Sequence, residues 1–465
     1  MTIQETDNNR AELLKTHTRT ISDIWILVSL AMGFIMATLD VTVVNVAVAD
    51  IQEKLQISLS STTWIVDGYM LFFASLLLAG GSLANRYGAK NIYLIGLTIF
   101  VIASVLCALA PTGTILIVAR SIQGVGAALF MPSSLSLLAI SYPDANKRAK
   151  MFGIWSAIVS ISSGLGPFVG GVLVNTFGWR SIFLINIPIG IIGLLMAYFI
   201  VTSSPGKKGN LNIFNHILGI ITLAGLSFTL IEGPSLGWSS SSIIIALIVT
   251  IVTATLFISI ERRVKDPIIP MKLFNNSSFS SANLVGFLIN FALFGGIFMF
   301  GLFLQKAKGA SPFIAGVELL PIMAVFVIGN LLFARLTTRL GVKIPMLVSI
   351  TIAGMGSLLL MFSVSSAPYW ILAVIYAIAN LGVGVAVPAM TATVMQAAGK
   401  EHANIAGATL NANRQVGALV GVAIMGVVLH EAHSWYNGAT IAFLVMSIAY
   451  LVASFLTWRF VRTEI

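Results

Sequence analysis

Residues 81–90 read GSLANRYGAK, and residues 334–343 read ARLTTRLGVK. Leu83, Arg86, Gly88 and Lys90 of the first stretch match Leu336, Arg339, Gly341 and Lys343 of the second at a constant offset of 253. Gly126 and Pro132 match Gly382 and Pro388 at an offset of 256. Two separate matches at nearly one spacing imply an internal duplication. Each copy of the decapeptide is a short basic punctuation between long apolar runs, the pattern of a turn joining two membrane-crossing helices. The expectation is therefore two related halves, each a bundle of apolar helices.

Working outward from these loops, apolar runs of about 20 residues or more, enough to cross a bilayer as helix, recur along the whole chain. They fall at 24–49, 61–84, 91–110, 114–139, 150–175, 181–201, 214–232, 243–260, 281–305, 313–334, 344–365, 369–397, 403–429 and 439–458, fourteen in all. The repeat pairs the first six with the last six and leaves the seventh and eighth as an insertion. Expected boundaries are a tail at 1–23, a first bundle at 24–201, a linker with two extra spans at 202–280, a second bundle at 281–458 and a tail at 459–465. Continuous apolar runs exclude a β-barrel, whose strands would be short and alternating. Composition agrees: 57% of the 465 residues are hydrophobic and 9% charged, against about a quarter charged in soluble domains. A soluble enzyme and a disordered chain are both excluded, and with Cys107 as the single cysteine so is a disulfide scaffold.

The net charge of +10 would suggest nucleic acid in a soluble protein, but its placement points to lipid. With an N-terminus in the cytoplasm, twenty Lys and Arg fall in cytoplasmic segments. Four fall outside, namely Lys54, Arg180, Lys306 and Lys308, and Arg120 and Arg414 lie within spans. That asymmetry places both termini in the cytoplasm and the excess charge against anionic headgroups. Trp64, Trp179, Trp238, Trp370 and Trp435 sit at outer ends, Trp25 and Trp458 at inner ends, as an aromatic belt requires. Residues 1–23 lack the layout of a signal peptide.

Six segments of the first half together resemble the major facilitator superfamily, in its fourteen-span drug:H⁺ antiporter branch. Leu39-Asp40-Val41-Thr42-Val43-Val44-Asn45-Val46-Ala47 is similar to the branch's first-span motif, and Trp64-Ile65-Val66-Asp67-Gly68-Tyr69 to the second-span motif of its quaternary-ammonium exporters. Residues 81–90 resemble the loop between spans 2 and 3, and Arg120 to Ala128 the fourth-span motif. Gly164-Leu165-Gly166-Pro167-Phe168-Val169-Gly170-Gly171 resembles the fifth-span antiporter motif, and Trp179 to Gly190 the sixth-span entry. Asn411 to Gly421 is a weaker match in span 13. Two positions depart: Asn85 stands where the family usually has an acid, weakening a gate bridge to Arg86, and Glu318 stands where many members have a small or apolar residue. Residues 430–438 are too short for the long outer hairpin some relatives carry. The resemblance implies two bundles rocking about a central site, in the inner cell membrane, with H⁺ as coupling ion and no cofactor.

Charge at a bilayer centre costs at least about 2.5–3.5 kcal/mol on insertion scales, so intramembrane ionisable groups are the functional candidates. Asp40 is expected to carry proton coupling or to bind substrate, and Arg120 to carry proton coupling by holding a carboxylate ionised; a structural carboxylate and a structural ion pair are the plain alternatives. Trp64 and Asp67, three residues apart, share a helix face. An acid beside an aromatic ring suits a lipophilic cation, against a wetted acid beside an interfacial Trp. Glu318 is read for coupling and substrate binding or, equally, as an acid stabilising a helix start. Glu232, before Gly233-Pro234, reads as an exposed loop acid. Gly166, Pro167 and Gly170 allow a close, kinked helix crossing, which the resemblance ties to sealing the cytosolic side. Arg86 and Gly88 mark a cytoplasmic gate, and Arg414 with Asn411 a packing and hydrogen-bonding anchor.

The expected function is proton-coupled export of amphipathic, cationic drugs or biocides by alternating access, from a chain acting as a monomer with no nucleic-acid partner. No phosphate-binding loop, metal cluster or nucleophile arrangement is legible. A substrate-specific exporter of a metabolite, siderophore or tetracycline–metal complex is the alternative, and a non-transporting sensor or channel a third class.

Overall fold

In the computed structural model the described residues are 3–142, 144–202, 206, 213–264 and 271–462. Side chains are described from residue 24 onward, apart from positions scattered through 145–160 and residues 334, 338 and 400–404. The expected basic positions Lys207, Lys208 and Lys265, and the side chains of Arg10, Lys15, Arg19, Lys150 and Lys400, lie outside that description.

Among the described residues the chain forms fourteen long helices, thirteen of them long and apolar enough to cross a membrane and the fifth apolar over the shorter stretch Ile161–Phe177. The first bundle holds α1 (Ile24–Leu55), α2 (Leu59–Tyr87), α3 (Ala89–Leu109), α4 (Gly113–Ser141), α5 (Ala145–Phe177) and α6 (Ser181–Ile200). The inserted pair is α7 (Ile213–Leu236) and α8 (Ser241–Glu261). The second bundle holds α9 (Ser277–Lys306), α10 (Pro312–Leu340), α11 (Lys343–Ser363), α12 (Tyr369–Gly399), α13 (Ile405–Glu431) and α14 (Trp435–Phe460). The boundaries extend the sequence reading by a few residues. At the first helix the difference is larger: the backbone is already helical at Ile3 and runs unbroken into α1. The chain between α12 and α13 also stays helical, broken at Gly399 with φ 73°.

Local sequence sets the helix ends. Ser58, Thr112, Ser311 and Ser434 each accept a hydrogen bond from a backbone N–H three residues on, and Asp144 does so at 2.8 Å from Lys147. These caps satisfy donors that a helix start leaves free. The repeated decapeptide has one shared conformational demand: Gly88 and Gly341 take φ of 89° and 68°, the left-handed region that favours glycine. A two-helix hairpin turns at each.

The duplication extends to the packing. α1 packs on α5 as α9 packs on α13, α2 on α4 as α10 on α12, and α3 on α4 as α11 on α12. α6 and α14 close the two bundles against α1 and α9. The inserted pair lies at the periphery: 17% of the apolar stretch of α8 is buried, against 83% for α9. Its exposed Ile245, Ile248 and Ile251 are what a lipid-facing helix presents.

Basic loops mark one end of the bundle, and the four sparse cations Lys54, Arg180, Lys306 and Lys308 mark the other, charge-poor end. At the charge-poor end the halves meet backbone to backbone. A Cβ on Gly171 of α5 would lie 2.7 Å from the carbonyl oxygen of Pro312 and 3.2 Å from Cα of Gly316, both on α10. A Cβ on Gly301 of α9 would lie 3.2 Å from the Asn45 carbonyl of α1, and Gln305 donates to the Val46 carbonyl at 2.9 Å. A Cβ on Gly426 of α13 would lie 2.9 Å from Oγ1 of Thr63 on α2. These contacts shut the charge-poor end.

Candidate functional site

Asp40 lies at the middle of α1 and Arg120 in the first half of α4, and the bundle brings them into a direct ion pair between Oδ2 and Nη1. Both are almost wholly buried, at 2% and 1% exposure. An ion pair taken out of water survives only when its remaining donors and acceptors find partners, and here both carboxylate oxygens and the Nε and Nη1 of the guanidinium have them. Gln123 on α4 donates to Asp40 Oδ1 at 3.0 Å and Asn186 on α6 does so at 3.2 Å. Arg120 donates to the Gln123 side-chain oxygen at 2.7 Å and to the Ile65 carbonyl of α2 at 3.2 Å. Ser104 on α3 accepts from Gln123 at 2.9 Å, and the Cys107 thiol points at the same glutamine, 3.7 Å away. The guanidinium lies 4.5 Å from the ring centroid of Tyr69, a cation–π contact. Five of the six helices of the first bundle thus converge on one carboxylate, and its partners all belong to that bundle.

Asn186, Ser104 and Cys107 are the participants that sequence reasoning missed. Asn186 lies within the quoted sixth-span segment, and Ser104 and Cys107 are three residues apart in an otherwise apolar span. Gln123 shares a face with Arg120, and that spacing was the available signal.

Asp67 is different. It is 0% exposed, and neither carboxyl oxygen has a hydrogen-bond partner among the described residues. This corrects the alternative of an acid wetted by an outer vestibule. Asp67 lies one helical turn beyond Thr63 on α2, on the face that meets Gly426 of the other half. It therefore stands one turn from the seal, on the same helix face. Its neighbour Trp64 does not join it, because the indole N–H donates to Glu232 at 2.8 Å. Glu232 is the second correction. It lies within the last turns of α7, half-buried, and also accepts from Ser60 at 2.7 Å. The helix runs to Leu236, two residues beyond Pro234.

Glu318 stands in the second turn of α10, half-buried, with one carboxyl oxygen unpartnered. Its backbone carbonyl accepts from the Tyr369 hydroxyl at 2.5 Å, and no described bond links it to Asp40 or Asp67. Gly166 abuts the Thr42 hydroxyl of α1, and a Cβ on Gly170 would lie 3.0 Å from the Val43 carbonyl. The Pro167 carbonyl abuts Gly316 of α10. The fifth-span motif therefore packs α5 on α1 with one face and on the opposite half with the other, and the closure it makes here is at the charge-poor end, not at the basic end. At the basic end Gly88 makes the turn already described, and the exposed Arg86 lies over the Tyr87 ring at 5.4 Å. The Nε of Arg414 is buried with no partner among the described residues. Asn413, not Asn411, makes the bond across to α9, at 2.6 Å to the Asn283 carbonyl. Arg414 packs its stem against α9, its Cγ lying 3.4 Å from where a Cβ on Gly286 would stand, while the hydrogen bond across comes from Asn413.

The chain matches the Major Facilitator Superfamily over residues 30–422, with a second match over 328–464. It is 58% identical over 440 residues to a methylenomycin A resistance protein of Bacillus subtilis (strain 168), covering 94% of each chain. Identity to the protein of the same name from Streptomyces coelicolor is 52%, covering 94% of this chain and 92% of the relative. A multidrug resistance protein Stp of Mycobacterium tuberculosis is 33% identical, covering 87% of this chain and 75% of the relative. Among solved structures, a peptide transporter POT in complex with sulfate superposes with a TM-score of 0.69 at 16% identity, covering 93% of each chain; this likeness concerns the fold alone. The chain belongs to the major facilitator superfamily: it is a multi-pass membrane transporter, not an enzyme, and its curated relatives are drug and antibiotic resistance exporters.

Proposed function

We propose that this member of the major facilitator superfamily is a proton-coupled antiporter that exports an amphipathic antibiotic by alternating access, as a single chain in the cell membrane with both termini cytoplasmic. Positive charge at one end supports that orientation, and with it the arrangement described above faces inward. The observation that carries the reading is Asp67: a wholly buried carboxyl one turn from the seam between the halves, with no hydrogen-bond partner among the described residues. An ionised carboxylate stripped of water and partners is several kcal/mol uphill, so this seam closes over a carboxyl that travels with its proton. Opening toward the outside wets Asp67, and substrate entering from the inside competes with the proton it carries. Asp40, clamped by Arg120, supplies the fixed charge balance of the first bundle.

Two relatives named for a single antibiotic, both above half identical, favour methylenomycin A as the first substrate to test. The multidrug relatives are more distant, and the cation-binding pair of Trp64 and Asp67 is reduced to Asp67 alone because Trp64 is bonded to Glu232. Cationic biocides are therefore the second arm of the test. Everted vesicles carrying the protein should take up methylenomycin A when a pH gradient is imposed and stop when an uncoupler is added. Uptake indifferent to the uncoupler would remove proton coupling; uptake of a cationic dye but not of the antibiotic would transfer the assignment to multidrug export.

A further inference from the structure

We infer that Glu232 makes the inserted helix pair a latch on the gate, with Glu232 a positioning residue for α2. The inference rests on the rocking transport proposed above. The inserted pair is otherwise a lipid-facing appendage, yet α7 packs against α2 of the first bundle and also against the α12–α13 segment of the second. It therefore spans the crease between the halves. At its charge-poor end one carboxylate oxygen, Oε1 of Glu232, gathers two donors from α2: the Ser60 hydroxyl at 2.7 Å and the Trp64 indole at 2.8 Å. Ser60 and Trp64 are four residues apart and share a face, so the two bonds fix the rotation of α2 as well as its position. Thr63, which meets Gly426 across the seam, is the residue beside Trp64, and Asp67 is one turn farther along.

The end of α7 is shaped to hold the carboxylate there. The Trp238 ring folds over Gly233, where a Cβ would lie 2.7 Å from ring carbons. Gly237, at φ 85°, makes the reversal that brings the ring back. Hydrogen bonds to an ionised acceptor are stronger than neutral ones, so a single carboxylate adds a directional fastening of α2 to the apolar packing around it. When the charge-poor end opens, α7 stays with the second bundle and its two bonds to α2 break, so Glu232 sets how readily the gate leaves its closed position.

The test reads gate opening directly. Thr63→Cys places a thiol at the seam, and a membrane-impermeant maleimide reports its exposure in right-side-out and inverted vesicles. The parent chain is the blank, since its Cys107 is buried. Glu232→Ala in the Thr63→Cys chain should raise the labelling rate about tenfold, the factor that loss of a charge-assisted bond gives an equilibrium. Glu232→Gln keeps an acceptor oxygen and should stay within about threefold, the smaller change that loss of charge assistance alone gives. Trp64→Phe removes one donor while keeping a ring. It should move the rate in the same direction as Glu232→Ala, and the two changes together should not add. If Glu232→Ala does not reach the membrane, Trp64→Phe alone decides. Labelling unchanged by Glu232→Ala or by Trp64→Phe, or Glu232→Gln as fast as Glu232→Ala, overturns the latch. Labelling of the Thr63→Cys chain that ignores an imposed pH gradient counts instead against proton-driven rocking, and leaves the Glu232 comparison readable.

Discussion

One helix crossing occurs twice in the molecule, with opposite chemistry. In the first bundle α1 meets α4 at Asp40 and Arg120, inside a polar knot of Gln123, Asn186 and Ser104. In the second bundle α9 meets α12 at Gly296 and Tyr376, where a Cβ on the glycine would lie 2.7 Å from the Tyr376 hydroxyl. Around that tyrosine are rings: Phe300 at 5.2 Å and Phe443 at 5.8 Å, both edge to face. The scaffold is duplicated but the charge is not. A duplicated fold specifies helix crossings through small residues and turns, and leaves the side chains at each crossing free to diverge. One half can then carry ionic chemistry while the other presents shape to an apolar molecule.

The difference can be broken from the polar side first. Arg120→Ala leaves Asp40 buried without a counter-charge, an arrangement about 3–5 kcal/mol less stable. The expected result is a protein that loses its monodisperse peak in detergent as well as its efflux. Folding that survives unchanged would mean that water or another cation replaces the guanidinium. Asp40→Asn keeps an acceptor for Arg120 but not its counter-charge, so it should destabilise the chain less than Arg120→Ala does, and pH-driven transport by the protein that inserts should be lost; normal pH-driven uptake in proteoliposomes would take Asp40 out of the mechanism.

Asp67→Asn sharpens the contrast between the two buried acids of the first half. With no bond to lose, it should change thermal stability by less than about 1 kcal/mol, the range of uneventful substitutions, yet abolish proton release on substrate addition. Stability falling as far as in Arg120→Ala would reveal a partner for Asp67. The smallest effect is expected at the aromatic crossing. Tyr376→Phe removes a hydroxyl that has no partner among the described residues and keeps the ring contacts, so melting temperature and efflux should both stay near the parent values. A large loss of efflux with intact folding would give the second half a polar role after all.

The architecture was legible because it rests on features that act locally. Gly88 and Gly341 repeat since each hairpin needs a left-handed residue at the same place, and apolar runs of spanning length need no partner to be recognised. Asp40, Arg120 and Asp67 were legible as candidates because charge inside an apolar run is costly anywhere. Their pairing was not. Asp40 and Arg120 are eighty residues apart, and nothing in either span distinguishes the acid that meets the arginine from the acid that meets nothing. Asn186 and Ser104 look like ordinary polar residues until α3 and α6 are placed beside α1. Glu232 was misread because Gly233-Pro234 does mark a helix end, at Leu236, but the acid stands inside that end and is held by Ser60 and Trp64 of a span far away in sequence.

The seam of glycines at the charge-poor end bears on speed. Gly171 against Gly316, Gly301 against Asn45 and Gly426 against Thr63 place bare main chain on one or both sides. A surface of that kind, with Thr63 and Gln305 as its side-chain contacts, has few rotamers to freeze when it forms and few to untangle when it parts. It works as a smooth bearing rather than a clasp, so parting the two halves leaves little friction of its own, and the pace of each cycle passes to whatever fastens the helices beside it.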